Sequence, residues 1–542
     1  MKRGLLFVLA ICSLTSLSQT FPWAKSATGS GIQEGNAIAT DINSNVYIAG
    51  SFQSPVIGFG SYSLNNFGNI DIYLAKYDVN GNVLWAKNFG GTGGEEGFGV
   101  CTDLSGNVYL TGYYSSPSIV FGTYTLSTGG STRTFLVKLD PSGNVLWARS
   151  TTGTPTGGEL GKSVATDQSN NVYLTGHFTS TLTTFGTFSL TNSSTNWDVF
   201  VAKYDANGNI LWAKSAGGTS TEMSNSITCD LAGNAYITGY YNSNPTTFGT
   251  YTLSNSGSGL TKDFYLTKYD PSGNVIWIKN SLGSSNELGN GITYNSNYVY
   301  VTGEFDSPVM TTGSYSIANN GSSDCFLSKY DLNGNVIWTN GYGGVNKDLG
   351  YSVCSHSNNI YVSGSYTANT TLGSSSYSPA CGSCDPMFIL YTDVNGSLLC
   401  SASLNSGGDD INAIAVSPNN EVFISGDMFI SPFIVGTTTL TLTGAENVFV
   451  ARYQCNDVGI FEMEKENFID VYPNPAEGVF NIKIKKEITN AQLILFNSLG
   501  QKIYEQKLSD GENKIFTNLP PALYYYSIIS GRKNYSGKLA VK

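Results

Sequence analysis

Short runs of apolar and polar residues follow one another in a fixed order along most of this chain, and no stretch carries a strong amphipathic helical pattern. Residues 162–167 read KSVATD, 171–176 NVYLTG, 198–205 DVFVAKYD and 209–215 NILWAKS. Each run is rich in Val, Ile, Thr and aromatics and bounded by Gly, Asn or Asp, which predicts four short β-strands. The set recurs. Tryptophans at 23, 85, 147, 212, 277 and 338, with Cys400 in the equivalent next place, mark a spacing of 61 to 65 residues.

The first run has seven copies, beginning at Asn36, Phe98, Lys162, Asn225, Asn290, Tyr351 and Asn412, and the second ends with its seventh at 421–426. The third closes with NVFVARYQ at 447–454, after which no seventh fourth run follows. The unpartnered copy, FPWAKS at 21–26, stands at the other end of the repeats. Four-stranded units that bury their faces only against neighbours form a β-propeller. The pattern therefore predicts an all-β protein: a seven-bladed β-propeller over residues 19–456, its last blade completed by the N-terminal strand.

Turns punctuate the strands. DVNGN at Asp78, DPSGN at Asp140 and Asp270, DANGN at Asp205 and DLNGN at Asp331 join third to fourth strands, and DLSGN at Asp103 joins first to second. Asp accepts backbone N–H groups in such a turn and Gly takes its left-handed position. Between second and third strands each unit adds a piece such as FGSYSL at Phe59 or FGTYTL at Phe121 and Phe248, with weaker copies at Thr312 and Val435. These predict an extra strand or hairpin on one face of the ring.

Composition sharpens this picture. The chain has 542 residues with 62 Gly and 61 Tyr plus Phe, and only 12% of residues are charged. Residues 19–458 hold 15 basic and 30 acidic side chains, so nucleic acid and anionic membranes are disfavoured as partners. Residues 1–18 carry Lys2 and Arg3, an apolar run and then small residues, the pattern of a cleaved signal peptide. Ile11 before Cys12 is bulky for a lipoprotein site. No other run approaches the length of a transmembrane helix.

DLSGNVYLTG at 103–112 and DQSNNVYLTG at 167–176, with a GNxxW segment in the units, resemble the SBBP family of bacterial β-propeller repeats. Copies five to seven depart from it, with Asn295, His356 and Ser417 in place of the Asp and Cys400 in place of the Trp. The resemblance implies a fold and no reaction.

After Cys455 the composition shifts to Lys, Glu and Ile, with a linker at 457–467 and a separate domain at 468–542. VFNIKIK at 479–485 alternates as a half-buried strand does, and further strands are expected at 492–496, 502–507, 523–529 and 536–541. VYPNPAEGVFNI at 471–482, LFNSLGQKIYE at 495–505 and NLPPALYYYSI from Asn518 resemble the type A C-terminal sorting domain of the type IX secretion system, with Ala522 where that family commonly has Gly. The resemblance implies a small Ig-like β-sandwich, the type IX machinery as partner, and a cargo released outside the cell or held at its surface.

Candidate chemistry is sparse. Only His177 and His356 offer imidazoles, and both occupy places where other units carry varied residues. No GxSxG or HExxH motif occurs. The repeated aspartates read as turn caps, with weak calcium binding at the Asp-x-Asn/Ser-Gly-Asn turns as their second use. Cys101 and Cys354 read as small core residues, and Cys381 and Cys384 as disulfide formers of an exported protein, with Cys400 or Cys455 as a further participant and the connectivity open. No residue is assigned a catalytic, cofactor-binding or metal-binding role. The expectation is a non-enzymatic secreted or cell-surface scaffold for an extracellular ligand, a glycan or a protein. The alternative is a polysaccharide-degrading hydrolase or lyase, which would gather unlike, unrepeated polar residues at one mouth of the channel.

Overall fold

A computed structural model describes residues 17–542 except 193, 258–260, 374, 380–384, 405–409, 458–468, 477, 485–490, 498–500, 510, 517 and 531–532. Most of the signal segment and linker expected above, and the Cys381 and Cys384 pair, lie outside the described residues. The chain divides into two compact units, one of which is Gln19–Gln454 and the other of which contains Cys455–Lys542.

The larger unit holds seven antiparallel sheets built on four strands each, two of them extended to six by a hairpin of the following blade. In the third, Glu159–Thr166, Val172–Phe178, Asp198–Tyr204 and Ile210–Gly218 pair in sequence order. The innermost strands, Gln33–Thr40, Glu95–Thr102, Glu159–Thr166, Glu222–Cys229, Glu287–Asn295, Asp348–His356 and Asp410–Val416, each pack on the next, and the last packs on the first. The sheets therefore form a closed ring around a channel lined by first strands.

Closure uses the N-terminal strand as the repeat pattern requires. Leu17–Ser26 lies beside Asn447–Asp457 as the outer strand of the seventh sheet. Ala27 donates its N–H to the Val448 carbonyl at 3.0 Å, and the Asn447 amide donates back to the Ala27 carbonyl at 2.8 Å. Trp23 stands between Phe423 of this sheet and Tyr77 of the first, at ring separations of 6.0 and 6.5 Å.

A repeated clasp joins each blade to its successor. In the first blade the Trp85 indole N–H and the Lys76 ammonium both donate to the Pro141 carbonyl of the next blade, each at 3.1 Å. The Lys76 ammonium also lies 3.5 Å from Asp41 Oδ2, which accepts the Tyr47 hydroxyl at 3.0 Å. The same set recurs as Asp103, Tyr109, Lys138 and Trp147 on Ala206, and as Asp167, Tyr173, Lys203 and Trp212 on Pro271. Trp23 closes the series on Val79 at 2.9 Å.

The turn glycines belong to this clasp. Gly81 has φ +82°, and a Cβ there would fall 2.7 Å from the Trp23 ring; Gly273 stands in the same relation to Trp212. Its missing side chain thus serves both the left-handed backbone and the indole laid on it. The sixth blade departs from the pattern. Tyr361 and Tyr391 stack at 4.8 Å, and Cys400 replaces the indole and is disulfide-bonded, as is Cys455.

The insertions are hairpins, and there are seven, from Val56–Phe59 with Tyr62–Asn65 to Phe433–Val435 with Thr438–Leu440. The sixth, Thr370–Leu372 with Ser375–Tyr377, escapes sequence reading because Leu372 replaces the Phe and Ser375 the second aromatic that mark the first four copies. Tyr62, Tyr124 and Tyr251 each donate a hydroxyl at 2.6 Å to a carbonyl of an outer strand, covering groups that an exposed edge would leave free.

The C-terminal unit is a sandwich of a three-stranded sheet (Ile469–Tyr472, Val479–Ile484, Gly511–Phe516) and a four-stranded one (Gln492–Phe496, Lys502–Lys507, Ala522–Ser530, Lys533–Val541). Phe480, Ile482 and Ile484 enter its core with Leu493, Leu495 and Ile528, as the alternation at 479–485 predicts.

Deleting residues 21–26 exposes the edge of the seventh sheet and removes its indole clasp, so the melting temperature falls by many degrees; an unchanged value contradicts closure by this strand. Trp212→Ala removes a buried indole and its hydrogen bond and costs about 3–5 kcal/mol in chemical denaturation.

Candidate functional site

The repeated turn aspartates are structural. Asp78 Oδ1 accepts the N–H groups of Asn80 and Asn82 at 2.9 Å, and Oδ2 accepts the Asn82 amide at 2.8 Å. Burial works against ionisation of this carboxyl, but the bonds from Asn82, Asn80 and Gly81 together hold it below the usual range. Asp140, Asp205, Asp270 and Asp331 repeat the arrangement. What surrounds these oxygens is a set of N–H donors, the reverse of a cation's needs.

Symmetry breaks at the channel instead. Each first strand carries a β-bulge near its start, at Gly35/Ala37, Gly97/Gly99, Gly161/Ser163, Ser224/Ser226, Gly289/Gly291, Gly350/Ser352 and Asp410/Ala413. A bulge re-aims the side chain that it inserts. The residues so inserted include Asn36, Phe98, Lys162, Asn225, Asn290, Tyr351 and Asn412, all half-buried. The four asparagines donate to the bulge carbonyl of the next blade: Asn36 to Gly97 at 3.1 Å, Asn225 to Gly289 at 3.0 Å, Asn290 to Gly350 at 2.9 Å and Asn412 to Gly35 at 3.2 Å. Phe98, Lys162 and Tyr351 interrupt this ring.

Around Phe98 and Lys162 lies a group of unlike side chains at the channel end opposite the aspartate turns. The Lys162 ammonium sits 3.9 Å from the Phe98 ring centroid, and the Phe98 and Tyr113 rings are 5.8 Å apart. Tyr113 donates its hydroxyl to Glu96 at 2.7 Å, and Ser51 donates to Glu34 at 3.0 Å. Burial raises the Glu96 carboxyl, as does Glu34, against the Tyr113 hydroxyl and Lys162. Burial likewise pushes the Lys162 ammonium down, with Glu96 opposing.

His177 borders this group. It is 3% exposed, its ring meets Trp197 edge-on at 4.8 Å, and its Nδ1 has no hydrogen-bond partner. Burial, with Lys162 adding to it, pushes the imidazole down to about 3, so the ring is neutral at physiological pH. Asp427, on the second strand of the seventh sheet, accepts the Gly35 N–H at 2.6 Å and the Asn412 amide at 2.7 Å. His356 ends the sixth first strand, away from this group. Cys101 and Cys354 are free thiols, and burial pushes both far up, as small core residues require.

Sequence reading listed the bulge positions as strand starts and missed their role. The available signal was that one column of the repeat reads Asn, Phe, Lys, Asn, Asn, Tyr, Asn while its neighbours are nearly all Gly, Ala or Ser.

Several known proteins are similar to this chain. The chain is 24% identical over 441 residues to an uncharacterized WD repeat-containing protein of Acanthamoeba polyphaga mimivirus, covering 65% of this chain and 31% of that protein. It is 23% identical over 274 residues to the regulatory protein FlaEY of Caulobacter vibrioides, covering 47% and 28%. The chain thus spans under a third of the length of either relative. Solved structures similar to it include Synechocystis apocarotenoid oxygenase (TM-score 0.34, 12% identity, 68% of this chain and 71% of that one) and the phage phi92 endosialidase (TM-score 0.33, 10% identity, 97% and 87%).

Restoring the ring should not harm the fold. Phe98→Asn, Lys162→Asn and Tyr351→Asn are expected to leave the melting temperature unchanged or higher, because sites kept for function are commonly retained against stability. A loss of several degrees in each variant would make these residues structural.

Residues 470–542 match the family described as the secretion system C-terminal sorting domain, so the second unit carries a secretion sorting domain.

Proposed function

We propose that this protein is an exported binding scaffold whose ligand enters the channel mouth at Phe98, Lys162 and Tyr113. The observation that carries the reading is the broken bulge ring: residues that differ sit side by side at one mouth, while the clasp and turn residues recur around the first four blades. Two aromatic faces beside carboxylates and amides suit a glycan, whose C–H faces stack on rings while its hydroxyls pair with planar polar groups. The carboxylates Glu34, Glu96 and Asp427 outnumber the ammonium of Lys162, which favours a neutral or amino-bearing glycan over an acidic one.

In this reading residues 1–18 are a signal peptide removed on export, and the repeats are of the SBBP type. A second reading, a hydrolase or lyase, draws on Glu34 and Glu96, two carboxylates in electrostatic reach of each other with Glu96 raised by burial. Unlike carboxyls of this kind are what glycoside hydrolysis uses.

Screening the full chain on an array of neutral and acidic glycans, with turnover followed on the same panel, separates the readings. Binding without turnover, weakened at least tenfold by Phe98→Asn with Lys162→Asn, is the expected result. Turnover abolished by Glu96→Gln would establish the enzyme, and binding indifferent to both substitutions would remove the mouth as the site.

A further inference from the structure

Far from the turns, a second set of carboxylates is buried between blades. The first residue of the third strand in four blades is Asp71, Asp198, Asp263 or Asp324, and the first strand of the following blade brings Glu95, Glu222, Glu287 or Asp348 close to it. None of these eight side chains is more than 6% exposed. Burial and the neighbouring carboxylate together push Asp198 up to about 7, and in the next pair burial and then the nearby carboxylates push Glu287 up to about 8.

Every pair keeps at least one oxygen without a partner, and the pairs of Asp263 with Glu287 and Asp324 with Asp348 keep two. Asp71 Oδ2 accepts the Phe67 N–H at 2.8 Å, Asp263 Oδ2 the Ser256 N–H at 2.7 Å and Asp324 Oδ2 the Asn320 N–H at 2.8 Å. The Oδ1 atoms of Asp71, Asp198, Asp263 and Asp324 are buried without a hydrogen-bond partner. A buried unpartnered carboxylate oxygen is costly, and four in equivalent places call for a common ligand. Glycine lets these oxygens lie against the neighbouring backbone: a Cβ on Gly90, Gly217 or Gly343 would stand 2.1, 2.2 or 2.4 Å from the Oδ1 of Asp71, Asp198 or Asp324.

The interface between the second and third blades indicates what that ligand is. There Arg133 occupies the aspartate's register position, and its guanidinium meets Glu159 Oε1 at 2.5 Å and the carbonyls of Thr128, Gly153 and Thr154 at 2.9, 3.1 and 2.8 Å. At this interface the chain supplies its own cation, held by one carboxylate and three carbonyl oxygens. Where Asp replaces Arg, the cation is gone and a second carboxylate has been added.

We propose that a calcium ion bridges the two carboxylates at each of these four blade interfaces. The donors are all oxygen, which selects a hard cation over zinc or copper. Each site brings two carboxylates, and among the described residues no group of three or more acidic, His or Cys side chains stands together, so carbonyl, hydroxyl and water oxygens complete the shell. These sites differ from the exposed turn aspartates in being buried and in keeping on each Asp an Oδ1 that accepts nothing, whereas both oxygens of a turn aspartate such as Asp78 are already engaged. Four bridging ions tie neighbouring blades together outside the cell, where calcium is plentiful, and stay absent inside, where it is scarce.

Titration calorimetry of the full chain, stripped with EDTA and titrated with calcium chloride to about 10 mM, tests this together with thermal melts. The expected result is four equivalents bound and a melting temperature raised by at least about 5 °C. Asp198→Asn and Asp263→Asn each remove one equivalent, Arg133→Asp adds a fifth, and Asp205→Asn at an exposed turn leaves four. Absence of heat and of any melting shift in the unsubstituted protein overturns the proposal, with a shared proton then left to relieve each pair. Loss of calcium binding on Asp205→Asn, with Asp198→Asn still binding four, overturns it in favour of the turns.

Discussion

The indole clasp between blades is the constraint on which the larger unit depends. A four-stranded sheet with two apolar faces has no stable life alone, so what must be specified is how one sheet meets the next. A Trp on the outer strand answers this by laying its ring on a glycine of the next blade's turn and donating to the carbonyl two residues earlier. Lys and Tyr complete the arrangement in blades one to four; the turn Asp accepts the Tyr hydroxyl in all four and pairs with the Lys in the first three, where a buried ammonium is thereby compensated. The same motif therefore fixes the turn, the strand pairing and the angle between blades.

Because the clasp points from each blade to the next, a closed ring needs one donor from the far end of the sequence. Trp23 is that donor. Its strand completes the last sheet and its indole reaches the first blade, so hydrogen bonds spanning over 400 residues of sequence link the ends. Blades five to seven depart from the motif at Asn295, His356, Ser417 and Cys400, and there other contacts substitute: Lys329 keeps its bond to the Val394 carbonyl, two tyrosines stack, and a disulfide engages Cys400. The ring thus holds a regular half and a divergent half.

Repetition made the fold legible in the sequence. Tryptophan spacing gave the unit, a missing strand at one end and a spare one at the other gave the closure, and Asp and Gly gave the turns. Two short strands of the C-terminal sandwich, Ile469–Tyr472 and Gly511–Phe516, were not foreseen, since the first is brief and the second mostly polar. The mouth residues were harder. Phe98, Lys162 and Tyr351 look like substitutions in a drifting column until the bulge turns that column toward the channel. His177 likewise stands in a column of varied residues, and it is a buried neutral ring. Glu95 and Asp71 give no local signal either, because their meeting is made by two strands of different blades.

Hydrogen exchange read by mass spectrometry on the full chain addresses ring closure most directly, since amides paired in a sheet open only as fast as that sheet does. Closure by the N-terminal strand predicts that peptides covering 19–27 and 447–454 are protected to the same degree as the outer strand at 210–216. Rapid exchange of 19–27 while 210–216 stays protected would contradict it.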